Sequence, residues 1–189
     1  MLVHTPVSPN AVSLASIFVG LLAAGLFAVG EYTASIIAAI LFQISAVIDC
    51  IDGDLARVMF KESAFGKWLD LAGDQVVHVG VFGGIALGLM KSIPGTPAPW
   101  LGLSAILGAL LSFAVVVRGL RRPQLDRTGL LHKLINAATN RDFSVLVLFL
   151  AVLNELDVFL WVTAVGSHVF WITTLALQLG TRSAEARAQ

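Results

Sequence analysis

The sequence has 189 residues, of which 57% are hydrophobic and 13% charged, and its formal net charge is zero. Soluble domains average about 25% charged residues, so this composition excludes an ordinary soluble protein and indicates a membrane protein. A balanced charge without blocks of like sign argues against nucleic acid as a partner, and the single cysteine, Cys50, excludes an intramolecular disulfide framework.

Apolar segments of membrane-spanning length recur along the whole chain. Crossing a bilayer takes roughly 20 helical residues, and the first segment lacks a basic leader, so we expect a retained helix rather than a removed signal peptide. We predict an all-α integral membrane protein with six transmembrane helices, at residues 11–30, 33–59, 66–89, 100–120, 141–153 and 158–179. They form a single catalytic domain over residues 1–180.

The connecting segments are predicted from their polar and helix-breaking residues. The run KSIPGTPAPW is a loop, because its prolines and glycine interrupt a helix. The run LLHKLINAATN is compatible with a short amphipathic helix at the membrane surface. Residues 181–189 are predicted to be a polar, mobile C-terminal tail.

Basic residues are distributed unequally between the two predicted membrane sides. On the side opposite the motif described below, Lys91 is the only basic residue between the predicted helices. By the positive-inside rule the more basic side is cytoplasmic. We therefore expect a multi-pass protein of a prokaryotic cytoplasmic membrane, with both termini and the motif at the cytoplasmic face. The more basic side holds Arg57, Lys61, Lys67, Arg118, Arg121, Arg122, Arg127, Lys133, Arg141, Arg182 and Arg187.

Four aspartates stand out in the run DCIDGDLARVMFKESAFGKWLDLAGD, which covers residues 49–74. An aspartate at the centre of a membrane helix costs about 2.5–3.5 kcal/mol, so a cluster of them indicates a function. Asp49 and Asp52 share one helix face, Asp70 and Asp74 share another, and the short turn between the helices makes them antiparallel neighbours. The pairs are predicted to converge on Mg²⁺ or Mn²⁺ between helices two and three, since hard ions prefer oxygen ligands.

Small and basic residues accompany the aspartates. Gly53 and Ala56 leave room for a substrate beside helix two, and Gly66 does so where helix three begins. Arg57 carries a fork of donors suited to a phosphate. Metal-binding carboxylates next to a phosphate-binding residue fit phosphoryl transfer, in which positioning and charge neutralisation carry most of the catalysis.

The full pattern is D-x-x-D-G-x-x-A-R, eight residues, then G-x-x-x-D-x-x-x-D. It resembles the CDP-alcohol phosphotransferase family, whose members are six-helix membrane enzymes. The Pro-Asn pair before helix one is similar to the opening of many members. The resemblance implies transfer of a substituted phosphate from a CDP-alcohol, such as CDP-diacylglycerol or a CDP-linked polyol, to an acceptor alcohol with release of CMP. The product would be a phospholipid, a related polar lipid or an inositol phosphodiester.

The resemblance also implies roles for individual residues. Asp49, Asp52 and Asp70 would bind the metals, and Asp74 would contribute to metal binding and act as the general base. The nucleotide-binding residues would be Asp52, Gly53, Ala56, Arg57, Ser63 and Gly66.

The acceptor is less well defined than the donor. Arg118 and Arg141 are candidates to hold an acceptor phosphate, and helices four to six are expected to set acceptor identity. The stretches FKESAFGKWLD and NRDF are similar to the inositol-phosphate-using branch. Phosphatidylglycerophosphate synthases tend to carry D-P-x-x-D-K, whereas this chain has DLAGDQ at residues 70–75, which counts against that branch. Serine and amino-alcohol acceptors stay open.

Other interpretations were weighed against the enzyme. A membrane cation transporter also uses intramembrane aspartates, and an inactive scaffold would retain the fold. His78 either lines the acceptor pocket, pairs with a carboxylate or bonds to a neighbouring helix. Gly80, Gly84 and Gly88 permit close helix packing, either inside one subunit or across the homodimer that we predict.

Overall fold

The computed structural model describes residues 9–58, 64–120 and 143–188. Within these ranges the chain is helical throughout apart from short turns, which confirms the predicted all-α class. The helices are α1 (Pro9–Phe27), α2 (Tyr32–Val58), α3 (Ala64–Ser92), α4 (Ala98–Leu120), α5 (Phe143–Val152) and α6 (Leu156–Ala188).

Five of these helices are long and apolar enough to cross a membrane, namely α1, α2, α3, α4 and α6. The described part of α5 has 10 residues and is entirely apolar except for Ser144. Large apolar side chains such as Phe18, Leu103 and Phe149 are more than half exposed on the outside of the bundle. Such a surface is stable in lipid and unstable in water, so the chain is a multi-pass membrane protein.

The helices begin and end close to where the sequence predicts. The largest difference is at α6, which continues to Ala188 rather than ending near Leu179. The added segment TRSAEARA contains alanine, arginine and glutamate, which favour helix even in a polar setting. The predicted surface helix LLHKLINAATN and the predicted start of α5 at Arg141 lie outside the described residues.

Helix α3 packs tightly against α1. The position where a side chain of Gly84 would begin is occupied by the backbone carbonyl of Ala24, and that of Gly88 by the carbonyl of Phe27. Lys91 at the end of α3 donates a hydrogen bond of 2.5 Å to the carbonyl of Ala28. The glycine stripe is therefore used for packing inside the chain, and the homodimer stays a prediction.

Polar side chains join α4 to α6 at several levels of the bundle. The His168 ring on α6 lies 3.2 Å from the Ser104 hydroxyl and accepts a hydrogen bond of 2.9 Å from the Trp171 indole. Further along, Gln178 donates to the carbonyl of Val115 at 3.0 Å. Hydrogen bonds between helices satisfy polar groups that lipid cannot, so they hold this pair together.

Helix α5 is attached to α2 by two hydrogen bonds. Ser144 donates to the Gln43 side-chain oxygen at 2.9 Å, and the Tyr32 hydroxyl donates to the carbonyl of Val152 at 2.9 Å. A turn then leads into α6 through Asn154, which has a φ of 60°, a conformation that asparagine tolerates better than most residues. This arrangement brings α5 next to the helix that carries the first aspartate pair.

Candidate metal and substrate site

Three of the four motif aspartates come together between α2 and α3. Asp49, Asp70 and Asp74 each offer a carboxylate oxygen, and these three oxygens lie within 4.8 Å of one another. All three residues are half-buried. Carboxylates at such distances repel one another strongly unless a cation or proton intervenes. The donor set is all oxygen, so the residues fit a hard divalent ion.

Helix α1 supports this cluster, which the motif alone did not indicate. The Ser16 hydroxyl donates to the carbonyl of Ser13 at 2.8 Å and lies 3.4 Å from Asp49 Oδ1. The Ser45 hydroxyl on α2 donates to the carbonyl of Ser16 at 2.7 Å. Ser16 and Ser45 are both buried, and together they fix α1 beside Asp49.

Several predicted site residues cannot be placed in this geometry. Asp52, Gly53, Ala56 and Arg57 lie on the last turns of α2, and their side chains are outside the described part of the structure. Ser63 and Arg141 are also outside the described residues. Gly66 is half-buried in the first turn of α3.

A cavity of about 290 Å³ opens beside the cluster and is bounded by α3, α4, α5 and α6. Asp74 belongs both to the carboxylate cluster and to the wall of this cavity. The other polar residues of the wall are Gln75, His78, Ser112, Thr163 and Ser167. The apolar part of the wall includes four phenylalanines, namely Phe82, Phe113, Phe143 and Phe170.

Aromatic rings surround His78 in this wall. The centroid of its ring lies 4.8 Å from that of Phe143, edge to face, and 6.2 Å from that of Phe82. Among the described residues, His78 Nε2, Gln75 Nε2 and Ser167 Oγ are buried without a hydrogen-bond partner. Of the three alternatives raised for His78, the structure therefore supports the cavity-lining position.

The described cavity wall includes neither arginine nor lysine. Arg118 is exposed at the end of α4 and is absent from the described wall. Polar residues of α3, α4 and α6 line this cavity, among them Gln75, Ser112 and Ser167. That the later helices set acceptor identity stays a prediction. Serine is common in membrane helices, so no sequence signal distinguishes Ser112 and Ser167, and their spacing does not show that they meet.

The family model described as CDP-alcohol phosphatidyltransferase matches residues 6–177. The chain belongs to the CDP-alcohol phosphatidyltransferase family. This match covers all the described helices except the end of α6 and includes both aspartate pairs.

Curated relatives of this family member match parts of the chain. The bifunctional IPC transferase and DIPP synthase of Rubrobacter xylanophilus is 34% identical over 110 residues, which is 58% of this chain and 24% of that protein. The archaetidylinositol phosphate synthase of Pyrococcus horikoshii is 34% identical over 82 residues, 43% of this chain and 42% of that protein. The chain thus spans about a quarter to under half the length of these relatives.

Solved structures show the same fold. Phosphatidylinositol phosphate synthase of Mycobacterium tuberculosis with CDP-DAG bound superimposes with a TM-score of 0.67 at 20% sequence identity. The match covers 93% of this chain and 88% of that one. The same synthase in its apo form gives a TM-score of 0.65 at 19% identity, covering 93% of this chain and 90% of that one.

Proposed function

We propose that this protein is a metal-dependent CDP-alcohol phosphotransferase acting at the cytoplasmic face of the membrane. It transfers a substituted phosphate from a CDP-alcohol, with CDP-diacylglycerol as the preferred donor, to an acceptor hydroxyl. The observation that carries the proposal is the meeting of Asp49, Asp70 and Asp74 within 4.8 Å in a chain of this family.

The aspartates hold the metal and the donor in this reaction. A bound Mg²⁺ or Mn²⁺ supplies charge neutralisation for the pyrophosphate. Asp49, Asp52 and Asp70 serve as ligands, and Asp74 completes the set. Arg57 holds a phosphate through its guanidinium fork, while Gly53, Ala56, Ser63 and Gly66 leave space for or contact the nucleotide. Asp52 is also a proposed nucleotide contact.

Asp74 takes the proton from the acceptor hydroxyl during attack. The new bond joins the acceptor oxygen to the phosphorus that carries the donor alcohol. The bond that breaks is the P–O bond of the pyrophosphate, and its bridging oxygen leaves with CMP. The position of Asp74 supports this role, since it adjoins both the carboxylate cluster and the cavity in which an acceptor could lie.

The acceptor that we propose is an inositol phosphate, which would make the product an inositol-containing polar lipid. The name of the relative from Pyrococcus horikoshii supports this choice, as do the stretches FKESAFGKWLD and NRDF in the sequence. Arg118 and Arg141 are the proposed contacts for the acceptor phosphate. The sequence DLAGDQ at residues 70–75 disfavours a phosphatidylglycerophosphate synthase.

The decisive experiment measures CMP release from purified protein with CDP-diacylglycerol, Mg²⁺ and a panel of acceptors containing inositol 1-phosphate, glycerol 3-phosphate and L-serine. We expect CMP with inositol 1-phosphate and none after chelation of the metal. Asp74→Asn should lower the rate by about 10²–10⁴-fold, as loss of a general base does. Asp157→Asn, in the first turn of α6 and far from the motif in sequence, is the matched control with an unchanged rate.

Two results would contradict the proposal. If no acceptor in the panel yields CMP, the chain is not a phosphotransferase of this kind, and cation flux in proteoliposomes would then favour the transporter. If Asp74→Asn retains the wild-type rate while the metal is still required, another group is the base.

A further inference from the structure

Helix α1 carries none of the motif aspartates, yet it contacts α2 exactly where the first pair begins. Ser16 of α1 is held there from two consecutive turns of α2. Its carbonyl accepts the hydroxyl of Ser45 at 2.7 Å, and its own hydroxyl lies 3.4 Å from Asp49 Oδ1. Ser45 and Asp49 are four residues apart, so they share one face of α2. Contacts at two successive turns fix the position of Ser16 along this face.

The next residue of α1 packs against α3 at the second aspartate pair. Ile17 fills the position where a side chain of Gly73 would begin, and Gly73 stands between Asp70 and Asp74 in the sequence. Two consecutive residues of α1 therefore touch the two helices that supply the three clustered carboxylates. Through these contacts α1 sets the separation of α2 from α3 at the level of the cluster.

The contact between Ser16 and Asp49 is shielded from solvent on the α1 side. Ser16 is 1% exposed and Ser45 is 0% exposed, so water does not compete for either hydroxyl. The bond of 2.8 Å to the carbonyl of Ser13 keeps the Ser16 oxygen in place. A hydroxyl hydrogen rotates about its C–O bond, and an ionised carboxylate is a stronger acceptor than a carbonyl. The same oxygen can therefore donate to Asp49 without moving.

A carboxylate that binds a metal has to point in a defined direction. Neighbouring hydrogen-bond donors supply this orientation, and loss of such a donor typically lowers metal affinity by about 10- to 100-fold. The effect depends on the ion, because Mg²⁺ requires near-ideal octahedral geometry whereas Ca²⁺ accepts irregular coordination. A less well oriented Asp49 should therefore weaken binding of Mg²⁺ more than binding of Ca²⁺.

We propose that Ser16 is a positioning residue of the metal site, which orients Asp49 toward Asp70 and Asp74 through its hydroxyl group. This proposal rests on the proposed function, because it concerns the same metal site. Helix α1 supplies no metal ligand in this arrangement. It contributes instead to the affinity of the site and to its preference for an ion with strict octahedral geometry.

Two substitutions of Ser16 test the role of its hydroxyl group. Ser16→Ala removes the oxygen, and Ser16→Cys retains a side chain of similar size with only a weak S–H donor. Metal binding is measured without turnover, from the thermal unfolding midpoint during titration with MgCl₂ or CaCl₂ alone. In both variants we expect the apparent Kd for Mg²⁺ to rise about 10-fold and that for Ca²⁺ by about 3-fold or less. If one variant fails to fold, the other decides the question.

Ser45→Ala is the matched comparison, because it removes an equally buried hydroxyl that donates to the backbone of α1. It should lower the unfolding midpoint of the metal-free protein and leave the ratio of the Mg²⁺ and Ca²⁺ dissociation constants at the wild-type value. Wild-type affinity for Mg²⁺ in the folded Ser16 variants would overturn the proposal. A change of the same size and ion preference in Ser45→Ala would also overturn it, since Ser16 would then act only through helix packing.

The titration also distinguishes a failure of this proposal from a failure of the proposed function. If the wild type releases no CMP with any acceptor, the phosphotransferase is refuted, whereas the Mg²⁺ titration still tests Ser16. If the wild type releases CMP but Ser16→Ala needs no more Mg²⁺ for half its maximal rate, the positioning role is wrong and the function stands. Absence of any Mg²⁺-induced shift in the wild type would refute the metal site and the role of Ser16 together.

Discussion

The two sides of α3 are built in opposite ways. The side that meets α1, which we term the sealed face, carries Gly80, Gly84 and Gly88 and leaves no room for even one added methyl group at Gly84. The side that meets α4 and α6, the cavity face, carries Gln75, His78 and Phe82 and borders about 290 Å³ of open space. Successive residues of a helix are rotated by about 100° around its axis, so the three glycines and the three cavity residues point in nearly opposite directions.

The difference shows how one helix can pack tightly against a neighbour on one side and line a cavity on the other. Close backbone contact with α1 fixes the position of α3, and with it Asp70 and Asp74. The cavity face instead retains polar atoms without partners, which lowers stability in the absence of a ligand. Stability on the sealed face thus compensates for the unpaired polar atoms near the cavity face.

The largest expected effect comes from filling the sealed face. Gly84→Ala places a methyl group against the carbonyl of Ala24, and such overpacking typically costs about 1–3 kcal/mol or more. We expect a clearly lower thermal unfolding midpoint and poor recovery of folded protein. The neighbouring Gly83→Ala is the matched control, since an added methyl would meet only Ile106 at 3.8 Å.

Gly83→Ala should be neutral or stabilising, because alanine favours helix over glycine by about 0.5–1 kcal/mol. Equal midpoints for the two variants would contradict the distinction between the faces. Size-exclusion chromatography of the same two proteins would report whether Gly84→Ala aggregates rather than merely unfolding at a lower temperature.

Filling the cavity face should have a smaller effect on folding and a selective effect on activity. Ala109→Leu adds apolar volume into the cavity, so the protein should fold normally while the KM for inositol 1-phosphate rises by about 10-fold or more. The KM for CDP-diacylglycerol should not change. Ala114→Leu makes the same substitution on the exposed side of α4 and should alter neither constant. A parallel loss of donor and acceptor binding would show that the cavity is not specific to the acceptor.

The smallest expected effect concerns Arg118, which is exposed and outside the described cavity wall. If Arg118 contacts the acceptor phosphate, the substitution Arg118→Ala should raise the KM for inositol 1-phosphate by about 3- to 10-fold. This size is expected because an exposed ion pair contributes roughly 0.2–1 kcal/mol to binding and a charged hydrogen bond somewhat more. Binding of unphosphorylated inositol should be unaffected. An unchanged KM for the phosphorylated acceptor would show that the proposed phosphate contact is wrong.

The sequence predicted the features that depend on neighbouring residues. Continuous apolar runs located the helices within a few residues, and the i, i+4 spacing of Asp70 and Asp74 placed both carboxylates on one face. Only five residues separate α2 from α3, so the meeting of Asp49 with Asp70 and Asp74 followed from the short connection.

Features that depend on pairing between distant helices could not be predicted in this way. Nothing in the spacing of Gly80, Gly84 and Gly88 distinguishes α1 from a second subunit as their partner. Ser16 reaches Asp49 across 33 residues of sequence, and the hydroxyl of Ser167 joins the wall that contains His78 only because α6 packs beside α4. The end of α6 was missed for a different reason, because the prediction ended the helix where the apolar run ends and did not weigh the helix propensity of TRSAEARA.

The hydrogen bonds between α2 and α5 have a consequence for biosynthesis. Ser144 and Gln43 are 101 residues apart, and Tyr32 and Val152 are 120 residues apart. A ribosome adding about 5–20 residues per second needs several seconds or more to supply the later partners. During that interval α3 and α4 are made, yet the flank of α2 that α5 later occupies stays uncovered. That flank therefore faces lipid or the membrane insertion machinery until the second half of the chain arrives.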